Sequence, residues 1–517
     1  MKNLKSLLYI LFIGLFAWSC DQELIEVKPD PDPDPTPPPT VPDPGSLDFT
    51  KFVSIGNSLT AGVQAGTLFN DGQASSLPVI LHTQFSEAAD AGDFNQPDIE
   101  SEFGYTGGGP GAVFGRLLLQ GNPPAPTPQP SDDASIPGPP GTPFDFSGER
   151  SELNNFGVGG TLLASALFPE TGDWGNPAHP LFNPYYARFA SAPGTSTMLG
   201  DALATSPTFF MYWLGNNDVL GYATTGASGA IPLTDPATFA ALYGQTMAAL
   251  TANPDLEGVV GNIPYVTSIP FFFTVAWNAI PLDQATADLA NAGFAGYNLF
   301  LDGLVANMFM SQDEADSRKV TYAEGANAVL IYDETLTDIT PFIGGLPPAD
   351  QAALTVLKQA RPATSNDLIT LTAGAVLGTE AIPGNPATVI GVGFPAADQY
   401  TLTTDEIIEI NTTIDAFNAA IESTITGLGV EDRVAIADVN TGLNNFVSAG
   451  GIFQDGVLIA PTLAPPYAAW SEDGVHPNSR GYAFTANIFI DAINAKFGAN
   501  IPHASLADYS ATALPLP

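Results

Sequence analysis

Residues 52–62 read FVSIGNSLTAG. Phe52, Val53 and Ile55 form a short apolar run and Gly56-Asn57 interrupts it, which predicts a buried strand ending at about Ile55, then a turn and the start of a helix. Ser58 stands at that junction. A serine at a helix start is commonly a cap, because its hydroxyl can accept a backbone N–H bond. It is also where a nucleophile would stand if the strand belongs to an open α/β sheet, since chemistry in such sheets gathers at the carboxyl ends of the strands. The kind of sheet around this strand decides between the two.

Further apolar runs bounded by turn residues occur in KFVSIG, PTFFMYWLG, LEGVVGNIPY, ANAVLIYD and RVAIADVN, and they read as buried parallel strands. Between them, DPATFAALYGQTMAALTANP and TTDEIIEINTTIDAFNAAIESTI carry apolar residues at helical spacing behind Asp or Thr caps. Strands alternating with helices predict an α/β fold with a mostly parallel sheet covered on both faces. The G-x-S-x-G elbow of the α/β-hydrolases is absent around Ser58.

The chain begins MKNLKSLLYILFIGLFAWSC, with lysines, an apolar run from Leu7 to Phe16, and small residues before Cys20. That is an export signal whose apolar core is short for a membrane span. Its end resembles the lipobox of bacterial lipoproteins, which implies that Cys20 is the acylated first residue of the mature protein; Trp18 departs from the small residues usual there. Cys20 is the only cysteine, so no disulfide framework supports the fold. Residues 21–47 repeat proline and aspartate and read as an extended, solvated tether. With 14 Lys+Arg against 54 Asp+Glu the formal charge is -40, which argues against a nucleic-acid partner. No stretch matches a calcium-loop spacing, and neither a metal nor a cofactor is expected.

Three further stretches bear on Ser58. NNFGVGG (154–160) places a glycine turn after another expected strand, where backbone N–H groups can approach a ligand closely. WLGNNDVLG (213–221) ends the most aromatic strand in Gly215-Asn216-Asn217-Asp218. SEDGVHPNSRGYAFTANIFIDAI (471–493) sets Asp473 three residues before His476 and then an apolar helix. In this order the four stretches resemble the blocks of the SGNH hydrolases, also called GDSL-type esterases and lipases. The resemblance spans about residues 50–500 but is specific only at those blocks, and Asn57 stands where the family has aspartate.

The resemblance implies a flavodoxin-like three-layer α/β/α sandwich (the SGNH hydrolase fold) carrying large loop insertions. It makes Ser58 the nucleophile, His476 its base and Asp473 the partner that holds the imidazole. The oxyanion hole would be the backbone N–H of Ser58, the backbone N–H of Gly160 and the amide of Asn217. The hydrolase domain is expected over 48–500, with insertions at about 67–150 and 311–405 and a tail over 501–517. The expected activity is hydrolysis of carboxylic esters through an acyl-enzyme, by an exported lipoprotein anchored at the outer membrane. Acetyl esters of polysaccharides remain open as substrates, as does an inactive scaffold that binds glycans or lipids. The aromatic stretch NIPYVTSIPFFFTVAW (262–277) reads equally well as an acyl pocket or as core.

Overall fold

The computed structural model describes residues 41–102, 104, 115–120, 125–128 and 146–512. Cys20, the export signal, the tether up to residue 40 and most of the proline-rich loop before residue 146 lie outside the described residues.

Five strands, β1 (Phe52–Gly56), β2 (Asn155–Gly157), β3 (Phe209–Trp213), β4 (Glu257–Gly261) and β5 (Val434–Ala437), form one sheet in the order β5-β4-β3-β1-β2. All four pairings are parallel. Numbered along the chain, this is a doubly wound order in which the direction of winding reverses beside β1. Every residue of β1 and β3 is buried, as expected of parallel strands covered on both faces.

Two neighbouring side chains of β3 show the layers. Tyr212 and Trp213 are consecutive, so they point to opposite faces. Tyr212 packs edge-on to Tyr243 of helix α4 (Pro236–Leu250), and Trp213 to Phe489 of helix α7 (Ser479–Phe497). Phe209 lies on the Trp213 face and meets Phe85 of helix α2 (Leu77–Ala88) at 5.8 Å. On the opposite face, Phe239 of α4 stacks at 3.9 Å on Phe417 of helix α6 (Thr404–Leu428). Helices thus flank the sheet on both sides.

The helices start where their residues cap them. Asp235 accepts from Ala237 N and Thr238 N ahead of α4, and Thr403 and Glu406 form a reciprocal capping box ahead of α6. Near the first described residues, Asp43 N donates to Asn500 O and Asn500 N to Asp43 O, tying the end of the tether to the residue just before the tail. The described part of the tail is packed, with Ile501, Ala504 and Leu506 in the main core.

One expected strand lies elsewhere. In ANAVLIYD, Gly325–Asn327 and Leu330–Tyr332 pair antiparallel with Ile280–Leu282 and Ala360–Pro362, outside the parallel sheet. Two satellite cores gather there, one spanning Ala287 to Ala360 and one spanning Ile280 to Ala396. The segment expected as an insertion at 311–405 therefore packs together with the preceding helix α5 (Gln284–Ala306). Arg361 braces it, giving Nε to Asp333 at 2.6 Å and both terminal nitrogens to Asp367 at 2.7 and 2.8 Å.

Candidate active site

Ser58 is the first residue of a one-turn helix, α1 (Ser58–Ala61), directly past the carboxyl end of β1. The cap of that helix is Asn57, whose side-chain oxygen accepts from Leu59 N at 3.0 Å, so Ser58 is free of the capping role. Close packing of this turn depends on two glycines. A Cβ on Gly56 would lie 1.9 Å from Thr60 Oγ1, and one on Gly157 would lie 2.3 Å from Ala61 N. Asn57 Nδ2 is buried and has no hydrogen-bond partner, which is the local cost of an amide at this position.

Asp473 and His476 lie in the loop leading into α7. His476 Nδ1 meets Asp473 Oδ2 at 2.7 Å. That contact assigns the Nδ1 proton to the carboxylate side and leaves Nε2 as the basic nitrogen. The aspartate is held by more than the histidine. Its Oδ1 accepts from Val475 N and His476 N, both at 2.8 Å, and its Oδ2 accepts from Gly66 N at 2.7 Å. Burial by itself would raise this carboxyl, but His476 and the backbone N–H groups outweigh it and hold it below the usual carboxylate range. Next to it, burial and the Asp473 charge push Glu472 up to about 7, with Arg116 opposing.

Ser58, Asn217 and His476 line one cavity of about 60 Å³. Its walls are largely apolar, with Trp213, Leu220, Val266, Ile269, Leu443 and Phe446 among them. Val266 and Ile269 come from the aromatic stretch 262–277, while Phe272 of that stretch is fully buried in the core, so the stretch contributes both to the cavity wall and to the core. The His476 ring makes its hydrogen bond to Asp473, and none joins it to Ser58.

Asn217 opens helix α3 (Asn217–Thr224), and its Nδ2 donates to Thr161 O at 2.9 Å. An amide nitrogen carries two protons, so one remains for the cavity. Gly160, at φ +77 in the exposed turn before Thr161, is not among the cavity-lining residues. The turn is fixed beneath by Asp218, which is 3% exposed and accepts from Leu163 N at 2.8 Å and Thr234 Oγ1 at 3.0 Å. Burial raises its carboxyl to about 6, against the lowering effect of those two bonds.

No family model, no curated protein and no solved structure matches the chain. What the site can do chemically follows from its own atoms. A hydroxyl at a strand end, a paired imidazole and an uncharged amide donor meet at an apolar cavity, a set suited to nucleophilic attack on a polarised carbonyl.

Two contributors have no short-range signal in the sequence. Gly66 N–H reaches Asp473 across 407 positions, and Ser471 Oγ accepts from Ala65 N at 2.9 Å across 406. Ser471 Oγ also reaches His476 O at 3.0 Å, so it links the serine-bearing loop to the histidine-bearing loop. Among the described residues, none of the helices is long and apolar enough to cross a membrane.

Proposed function

We propose that the chain is a serine ester hydrolase of the SGNH kind, exported as a lipoprotein held at the outer membrane through Cys20. The observation that carries this reading is the 2.7 Å contact of His476 Nδ1 with Asp473, on an imidazole that shares a cavity with Ser58 and Asn217. His476 Nε2 takes the Ser58 proton as Oγ attacks the ester carbonyl, and later returns it to the leaving alcohol. The negative oxygen of the intermediate is met by Ser58 N–H, the first of its helix and without an intrahelical acceptor, by the second Asn217 Nδ2 proton, and by Gly160 N–H once substrate is bound. Water then repeats the steps on the acyl-enzyme. Asp473, held below the usual carboxylate range by His476 and by backbone N–H groups, stabilises the imidazolium in both halves.

The cavity bears on the substrate. Its largely apolar walls beside Ser58 and His476 suit the apolar part of an acyl group, and its small interior, about 60 Å³, favours a short one such as acetyl, including acetyl esters on polysaccharides. The test is a fluorophosphonate serine probe on the full chain. Labelling of the wild type that disappears in Ser58→Ala supports the enzyme, and no labelling of folded wild type would leave the non-catalytic binder as the reading.

A further inference from the structure

Helix α6 opens with a carboxylate that is only half used. Glu406 Oε2 accepts from Thr403 N at 2.6 Å and Thr403 Oγ1 at 2.8 Å. Its Oε1 is buried and accepts nothing, although the residue is only 7% exposed. A buried carboxylate oxygen without a donor is costly and calls for an explanation. What surrounds it is more negative charge. Glu334, just beyond the strand Leu330–Tyr332, and Asp398, in the segment that leads to α6, each bring an oxygen within 4.8 Å of the other and of Glu406.

No cation of the protein answers this cluster among the described residues. Arg361 is committed to Asp333 and Asp367. The remaining groups facing the three are also acidic or phenolic: Asp333 acts on Asp398, and Tyr222, which donates to Glu409 Oε2 at 2.8 Å, feels both Glu406 and Glu334. Burial first, then the Glu334 charge and a hydrogen bond shared with Glu334, push Asp398 up to about 6, and burial, with the Glu334 and Asp398 charges and against the two Thr403 bonds, pushes Glu406 up to about 7.

Oxygens bound to one calcium ion lie about 2.3–2.6 Å from it, so no two of them are more than about 5 Å apart. A mutual spacing within 4.8 Å lies inside that limit, so at most a small approach of the three side chains brings all of them onto a single ion. The geometry points to a divalent-cation site of the oxygen-ligand kind that suits Ca²⁺, formed by Glu334, Asp398 and Glu406, with water on the exposed Glu334 side. The site is independent of the ester-hydrolase reading. The ion would join three parts of the chain: the satellite core through Glu334, the crossing segment through Asp398, and α6 through Glu406.

Helix α6 in turn holds a wall of the cavity. Asn418 exchanges two hydrogen bonds with the Ile263 backbone, at 2.7 and 2.9 Å, and Asp415 accepts from Tyr265 OH at 2.6 Å. Between and beside these points, Pro264 and Val266 line the cavity. Ion binding at the start of α6 is thus a means of setting the stiffness of that wall.

The test is titration of Ca²⁺ into the chelator-treated full chain, followed by calorimetry and by the thermal midpoint. Half-open sites of this charge bind at about 10⁻⁴–10⁻³ M, and saturation raises the midpoint by roughly 3 °C. In Glu406→Gln, which keeps a carbonyl oxygen for the cap, the response disappears, while the chelated variant melts no lower than chelated wild type because one of three repelling charges is gone. Glu422→Gln, an exposed position later on the same helix, responds as wild type does and controls for counterions loosely attracted to a chain of charge -40. Should Glu406→Gln not fold, Asp398→Asn serves in its place with the same expectation. A wild type without a saturable response, or a Glu406→Gln or Asp398→Asn response equal to that of wild type, overturns the site.

Discussion

Replacing Asp218 by asparagine tests how the turn below the candidate oxyanion hole is held. In the folded chain this carboxyl is 3% exposed and raised from 3.8 to about 6, with burial the largest cause. A shift of about two units corresponds to roughly 3 kcal/mol at 1.36 kcal/mol per unit. The sign follows from linkage: the native state binds this proton more tightly than the unfolded chain, so the Asp218 contribution is most favourable below pH 4 and is lost as pH rises through about 6. Asp218→Asn has no such titration. Its side-chain oxygen can still accept from Leu163 N, whereas the bond from Thr234 Oγ1 is lost or rearranged, which costs about 1 kcal/mol at every pH. The variant should therefore be less stable than wild type at pH 4 and equal or more stable at pH 7, the difference moving by up to about 3 kcal/mol. Urea unfolding at half-unit steps from pH 4 to pH 7.5, read by tryptophan fluorescence, measures this. A wild-type-minus-variant difference that stays flat over that range refutes the account of a buried, strained carboxylate.

Ser58→Ala and His476→Ala should each lower turnover by at least about 10⁴-fold with an unchanged thermal midpoint, and the double variant should be scarcely worse, because the pair acts as one unit; additive losses would separate them. Asn217→Ala should reduce kcat by about 10²–10³-fold with little change in KM, and should also cost about 1 kcal/mol of stability through the lost bond to Thr161 O. Full turnover in that variant removes Asn217 from the oxyanion hole. Ile269→Ala should enlarge the cavity and move the preference in kcat/KM toward longer acyl chains, and an unchanged chain-length profile would place the acyl group elsewhere. Cys20→Ala should shift the protein from the detergent phase to the aqueous phase without altering its specific activity; a variant that stays in the detergent phase defeats the lipid anchor.

The strands that were legible share one property and the misread one lacks it. KFVSIG, PTFFMYWLG, LEGVVGNIPY and RVAIADVN each enter the parallel sheet, and the turn residues after them lead into helices or site loops. ANAVLIYD has the same apolar composition, but a short run carries no information about its partner, and its neighbours in space are the antiparallel pieces of a satellite core. The site divides along the same line. Ser58 was readable because a strand end and a turn are local, and the His476–Asp473 contact because a spacing of three lets a loop fold a carboxylate back onto the ring. The glycine turn at 154–160 is legible as well, whereas the bond from Leu163 N to Asp218, 55 positions away, has no local signal. The state of Asp473 is the least local of all. Its carboxyl is held low chiefly by His476, and its Oδ2 also accepts from Gly66 N–H, delivered by the loop that follows the Ser58 helix, so the packing that places Ser58 at the cavity also fixes the partner of the His476 ring. Ser58 and Asp473 are in this way joined through one loop, and a change at Gly66 would reach His476 without touching either residue of the D-x-x-H pair.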